Sequence, residues 1–347
     1  MTNVIAFAIL SAIKIGIVIG VLLLVIAYLI WIERKVMAHM QVRMGPMRVG
    51  WHGLLQPIAD GLKLITKEDI IPANASKILF IASPAIAMVP ALLSIAVIPF
   101  GDTISIMGVS IDMVITDVNI GILFILAVSS VGVYGILLGG WSSNNKYSLL
   151  GGLRSSAQMI SYELSMGLSL IGVIMMTESL SLVDTVNAQA GLWFVVLQPV
   201  AFVVYAISAI AETNRCPFDL PEAEAELVSG YNVEYSAVGF ALFSLGEYAN
   251  MLLMSSCTVI FFLGGWLSPF EGLDAISIIT ITNTFGAFWF SIKIIFMVIL
   301  YVWIRAALPR YRYDQLMALG WKVFLPLSLT YLMLTFCALI SFNMLPY

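Results

Sequence analysis

The chain has 347 residues, of which 61% are apolar and 10% charged, and its net charge is −4. A soluble domain carries roughly 25% charged residues, so this composition excludes a chain that is hydrated all over. The small negative charge excludes nucleic acid as a natural partner.

The apolar residues fall in runs long enough to cross a bilayer, which takes about 20 residues per helix. Runs at 5–32, 78–99, 118–140, 157–177, 192–211, 236–264, 285–307 and 323–345 predict an all-α integral membrane protein of about eight spans, one membrane domain over 1–347. The first run has no basic region ahead of it, is too long for a signal peptide, and ends in Glu33-Arg34-Lys35. It is expected to be retained as the first span. The sixth run is long enough to bend. Pro84, Pro90, Pro199 and Pro326 lie in or near spans, which membrane helices tolerate. No internal repeat points to an inverted-repeat transporter.

The first connection holds Arg34, Lys35, Arg43, Arg48, Lys63, Lys67 and Lys77. The third holds Lys146 and Arg154, the fifth Arg215, and the seventh Arg305, Arg310, Arg312 and Lys322. These are 14 of the 16 basic residues, and the even-numbered connections and both tails hold none. Basic loops stay on the cytoplasmic side, so both termini are expected on the opposite, periplasmic side.

Within the first connection, Leu54, Leu55, Ile58, Leu62 and Ile65 form an apolar stripe at helical spacing, opposite Gln56, Asp60, Lys63 and Lys67. The pattern predicts an amphipathic helix over about 52–66, lying on the cytoplasmic membrane surface. It reads either as a surface anchor or as the mouth of a cavity for an amphiphilic ligand. Arg43-Met44-Gly45-Pro46 ahead of it reads as a turn.

Ionisable groups recur inside later spans: Glu163 in the fourth, Glu247 in the sixth, Lys293 in the seventh. Each costs about 2.5–3.5 kcal/mol to insert, so such groups persist when paired, hydrated or used. A structural Glu–Lys pair is one reading, a chain of protonatable sites the other. The fifth loop, 212–235, carries six carboxylates, among them Glu212, Glu222, Glu224 and Glu234, and one arginine. Pro, Phe, Leu, Val and Tyr interleave with the acids, which argues for an ordered, packed loop whose carboxylates titrate together.

Cys216, Cys257 and Cys337 lie far apart with no CxxC, so the chain builds no iron–sulfur or zinc site from cysteine. There is no GxGxxG, Walker loop or HExxH, and His39 and His52 are too few for haem pairs. Redox centres, if the chain serves a redox reaction, must come from partners.

Several stretches closely resemble one family: Glu33-Arg34-Lys35 with 40–46, 53–60, Thr66-Lys67-Glu68, Ser161-Tyr162-Glu163, the whole fifth loop, and 303–317 with Arg310-Tyr311-Arg312-Tyr313-Asp314. That family is the H-type membrane subunit of NADH:quinone oxidoreductase, respiratory complex I (subunit 1 in mitochondria). The likeness runs nearly end to end. It implies a proton-pumping enzyme in which this chain forms the quinone tunnel, with ubiquinone the expected substrate. FMN and iron–sulfur clusters belong to partner subunits of a hydrophilic arm, and antiporter-like subunits and lipid lie beside it in the bacterial plasma membrane. By matching position, Glu33, Arg34, Arg43, Gln56 and Asp60 would line the quinone cavity. Glu163, Glu212, Glu222, Glu224, Glu234 and Glu247 would form an acidic proton path, partly neutralised by Lys293. The third span carries no carboxylate, only Asp117 at its outer end, so the path there would use water or Tyr134. Two other readings remain: the equivalent subunit of a ferredoxin-linked or hydrogen-evolving hydrogenase, and a passive membrane anchor.

Overall fold

The computed structural model describes residues 2–106, 109–219, 230–269 and 286–341. Helices dominate: α1 (Thr2–Met40), α2 (Gln56–Thr66), α3 (Lys77–Ile95), α4 (Gly121–Ser142), α5 (Lys146–Thr177), α6 (Leu182–Asn187), α7 (Phe194–Leu197) and α8 (Pro199–Glu212). After the fifth loop come α9 (Ala237–Phe262), α10 (Gly286–Ala307) and α11 (Tyr313–Ala318). A π-helical turn (Leu319–Phe324) then joins α11 to α12 (Leu325–Ser341). Two short antiparallel strands, β1 (Ile104–Ile106) and β2 (Val109–Ile111), pair Ile104 with Ile111 in the second connection.

Among the described residues seven helices are long and apolar enough to cross a membrane, and α8 is a shorter apolar helix. The protein is a multi-pass membrane protein. The fifth predicted run differs from a simple span, because it is two helices broken at Gln198-Pro199. Proline cannot donate the hydrogen bond that would join them, and it biases Gln198 out of the helical region (φ −129°, ψ 59°). Three connections are shorter than the polar residues suggest. α1 runs to Met40, so Glu33, Arg34 and Lys35 sit on its last turns. α5 begins at Lys146 and takes in Arg154. The last span continues back through the π turn to Tyr313 and takes in Lys322. Charged residues end a hydropathy run without ending a helix, since the backbone bonds are indifferent to what projects from them. The sixth run is one continuous helix, α9.

α3 packs on α4 and α9, and α5 on α4 and α8. Small residues set these approaches. A Cβ at Gly135 would overlap the backbone of Ala87, and one at Gly140 would lie 2.6 Å from the Ser148 carbonyl oxygen. Buried amides then lock helix ends. Gln158 donates to the carbonyls of Ala211 (2.7 Å) and Phe218 (2.8 Å). Gln189 donates to Ile260 (2.7 Å) and accepts from the Gly264 amide (3.0 Å). These bonds satisfy carbonyls and amides that water cannot reach.

Before α2 the chain turns at Gly53, whose φ is +80° and whose absent Cβ would collide with the Pro46 carbonyl. That turn lays α2 along the outside of the bundle with no buried residue and with Leu55, Ile58, Leu62 and Ile65 exposed. Replacing Gly135 by Ala should weaken the α3–α4 seam. The expected loss is about 1–3 kcal/mol, the range for overpacking, read as a lower melting temperature of the purified complex; an unchanged transition would contradict the packing described.

Candidate functional site

Four charged side chains from four parts of the chain meet where α1, α9 and α10 approach one another. Glu33, from the last third of α1, is 3% exposed. It accepts hydrogen bonds from Arg305 of α10, from the Tyr248 hydroxyl (2.7 Å) and from Arg215 (3.4 Å). Arg215, in the turn after α8, also pairs with Glu247 of α9 at 3.7 Å. Its guanidinium lies 4.1 Å over the Tyr248 ring. Tyr231 donates to the other oxygen of Glu247 at 2.9 Å. Glu33 and Glu247 against Arg215 and Arg305 sum to zero charge, which is how charges survive burial. Burial alone would pull the Arg215 pKa down. Tyr248, Glu247 and Glu33 outweigh it and move it up, so Arg215 keeps its charge.

The fifth loop holds Arg215 in place through its neighbours. Phe218 stacks on Tyr311 at 5.6 Å, the Tyr311 amide donates to Pro217, and Arg310 pairs with Asp219 at 3.1 Å. The link between α10 and α11 thus closes over the loop. Beside it, burial pushes the Cys216 thiol above its usual pKa.

A second group lies where α2 meets α1 on the outside of the bundle. Arg34 donates to Asp60 at 2.7 Å and Gln56 to its other oxygen at 3.0 Å. Arg34 and Glu33 are chain neighbours on different faces of α1, so one turn of helix connects this mouth to the buried cluster.

A third group runs along α5 and α8. Glu163 accepts from Ser130 of α4. It lies within electrostatic reach of Glu212, which is buried at the end of α8. Glu212 Oε2 and Asn214 Oδ1 are buried without hydrogen-bond partners among the described residues. Both residues line a cavity of about 20 Å³ that Tyr231 and Glu247 also line. This is room for water, the partner that the two residues' unpaired oxygens lack among the described residues.

The structure therefore brings Glu33, Glu247, Glu212 and Glu163 into one sequence of neighbours, with Arg34, Gln56 and Asp60 at its mouth. Arg43 stands apart, exposed and bonded to Gln41 (2.7 Å). Glu234 is at the rim, accepting from Asn145 at 2.6 Å, the residue that caps α5. Glu222 and Glu224 lie outside the described residues. Lys293 lies toward the start of α10. Its ammonium donates to the carbonyls of Leu263 (2.7 Å), Gly265 (3.0 Å) and Leu267 (2.7 Å) and lies 4.2 Å over Trp193. It sits 12 residues before Arg305 on α10, about 18 Å along the axis, and closes the far end of α9. Sequence reasoning does not place Arg215, Arg305, Tyr231 and Tyr248 in the site. The available signal is that each buried acid needs a cation or hydroxyl at its own depth.

Such an arrangement defines a multi-pass helical membrane protein with a charge-balanced buried centre joined by a cavity to further carboxylates. The family model described as NADH dehydrogenase matches residues 13–336, and the chain belongs to that family. It is 53% identical to an NADH-quinone oxidoreductase H-type subunit of Geobacter metallireducens, over 95% of both chains. It is 53% identical to the corresponding H-type subunit of Paramagnetospirillum magneticum, over 94% of this chain and 91% of that one. It is 54% identical to NADH-ubiquinone oxidoreductase chain 1 of Chondrus crispus, over 96% and 98%.

Arg215→Met would strand Glu33 and Glu247 beside one another. Breaking a buried pair costs about 3–5 kcal/mol, so the complex carrying it should melt earlier or assemble poorly. Combining it with Glu247→Gln should recover part of that loss; no recovery would mean that the carboxylates are not the strained partners.

Proposed function

We propose that this chain is the membrane subunit of a proton-translocating NADH:quinone oxidoreductase that walls the quinone cavity and begins the path along which quinone reduction moves protons. The observation that supports this best is the continuity from Asp60 and Arg34 through Glu33, Arg215 and Glu247 to the Glu212 cavity. The names of the relatives supply the reaction. The chain's own residues supply orientation and charge.

α2 offers an apolar face beside the Gln56–Asp60–Arg34 group. A hydrophobic tail would lie along the first and a polar head group would meet the second. Reduction of a quinone consumes two protons and transiently develops negative charge. Arg34 and Arg305 can stabilise that charge, and Asp60 and Glu33 can respond to it. Arg215 bridges Glu33 and Glu247. When one of the two carboxylates takes a proton, the guanidinium is left to the other. A charge event at the mouth then changes the proton affinity of a group deeper in the membrane, which is a coupling free energy between sites. Water in the cavity carries the change on to Glu212, and Glu163 receives it with Ser130. Tyr134, exposed on α4, lies on the lateral face toward which Ser130 and Glu163 open. That face suits the antiporter-like membrane partners.

The same reading gives the setting. The basic connections face the bacterial cytoplasm and dock the hydrophilic subunits that hold FMN and iron–sulfur clusters. Both termini lie on the periplasmic side of the plasma membrane, and ubiquinone is the quinone.

Glu212→Gln in the assembled enzyme should abolish or sharply reduce proton translocation in sealed vesicles. NADH oxidation with an artificial acceptor at the hydrophilic partners should persist. Full pumping at the normal yield per NADH would remove Glu212 from the path.

A further inference from the structure

A second cavity lies between α5, α8 and α12, on the side of Glu212 away from the basic connections. Its volume is about 10 Å³, near the space one water needs. Ser169, Gly172, Gln198, Ala201, Ser328 and Tyr331 are among its walls. Gln198 is 1% exposed. Its amide nitrogen donates to the Gly172 carbonyl (2.9 Å) and contacts Met176 sulfur (3.0 Å). That fixes which end of the amide is which. Oε1 is left buried with no hydrogen-bond partner among the described residues. A Cβ at residue 172 would lie 2.8 Å from this oxygen, so glycine there makes room for the amide.

The break before α8 adds to this. Pro199 is the first residue of the helix, so the amides of Val200 and Ala201 have no acceptor within it. Both residues line the same cavity. A residue with an unpartnered acceptor and two residues whose amides the helix leaves free thus line one space the size of a water.

From the cavity a line of buried hydroxyls leads back to Glu212. Ser169 is one turn along α5 from Ser165, which lies 3.1 Å from Ser208 of α8. Ser208 is one turn before Glu212. Ser165 and Ser208 are fully buried and Ser169 is 4% exposed. Serines alone would be accounted for by close helix packing. Packing does not account for the orphaned oxygen and amides at the end of the line, because buried polar groups in folded proteins are paired.

We propose that the α5–α8 seam is an outward proton branch from Glu212, with a water bound to Gln198 Oε1 as its relay. Each hydroxyl both accepts and donates, so a proton arriving on one lone pair releases the hydroxyl's own proton onward, and the hydroxyl then rotates back, at Ser165 and Ser169 to the Tyr162 and Met166 carbonyls on which it rests. Successive turns are about 6 Å apart, so water bridges the steps between hydroxyls. The branch ends where the break opens α8 to the face opposite the basic connections. It rests on the reading that Glu212 holds translocated protons.

The test uses the assembled complex in sealed vesicles and measures protons moved per NADH oxidised. Gln198→Leu and Ser208→Ala should each lower that ratio. A high-resolution map of the unaltered complex should show water within about 3 Å of Gln198 Oε1. Ser208→Ala removes one oxygen and little volume, so it stands if Gln198→Leu does not assemble. A full ratio in Ser208→Ala and in any Gln198→Leu complex that assembles overturns the branch, as does an acyl chain or a dry cavity beside Gln198. Glu212→Gln in the same preparation separates the two levels. If it also keeps the full ratio, the path through Glu212 fails; if it alone loses protons, only the branch fails.

Discussion

Arg215 has to remain charged where water is scarce, and much of the inner half of the bundle is arranged around that requirement. Its neutralisation by Glu33 and Glu247 ties α1 to α9. Glu33 in turn needs Arg305, which ties α1 to α10. The turn that carries Arg215 is clamped by Arg310 and Tyr311 from beyond α10. Four segments distant in sequence are thus held in register by charges that cannot be left alone. A hydrophobic seam could slide by a turn at small cost in lipid, because the tails are as apolar as leucine. A buried ion group cannot slide without losing partners.

The opposite ends of the helices meet the same constraint with different chemistry. Lys293 collects three carbonyls past the end of α9, and Gln189 satisfies an amide and a carbonyl in the same region. A lysine suits that place because a compact ammonium with three donors matches three carbonyls. An arginine suits the inner cluster because its planar fork can face two carboxylates at once. Placing Lys293 beside acids follows from its depth in a span; carbonyls past a helix end carry partial negative charge too, and among the described residues it meets three of them.

Periodicity and charge made the all-helical membrane class, the seven long apolar helices and the outside position of α2 legible in the sequence. The break at Pro199 was visible as a proline but not as a break, since membrane helices often carry proline without interruption. Helix continuations through Glu33 and Arg154 were hidden because hydropathy reports side-chain polarity, and a charged side chain does not interrupt the backbone bonds of a helix. The pairing of Glu33 with Arg215 and Arg305 spans 182 and 272 residues. No local pattern encodes contacts of that separation. What the sequence does hold is the inventory: as many buried arginines as the cluster's acids need.

The links along the proposed path are unequal, and that inequality bears on how coupling could be gated. Asp60 to Arg34, Glu33 to Arg305 and Arg215, and Tyr231 to Glu247 are direct contacts. Between Glu247 and Glu212, among the described residues, lies the cavity of about 20 Å³ that both line. Arginine holds its proton at any physiological pH, so Arg215 transmits charge and blocks protons. A proton moving from Glu247 toward Glu212 must therefore use water in that cavity. When the space is hydrated the two acids communicate, and when it is dry they are insulated by Phe243 and Ile136 in its wall. Arg215 pairs with Glu247, one wall of that space, so a shift of the guanidinium between Glu33 and Glu247 changes the field beside it. The cation that organises the fold thus also stands where it can decide whether the path conducts.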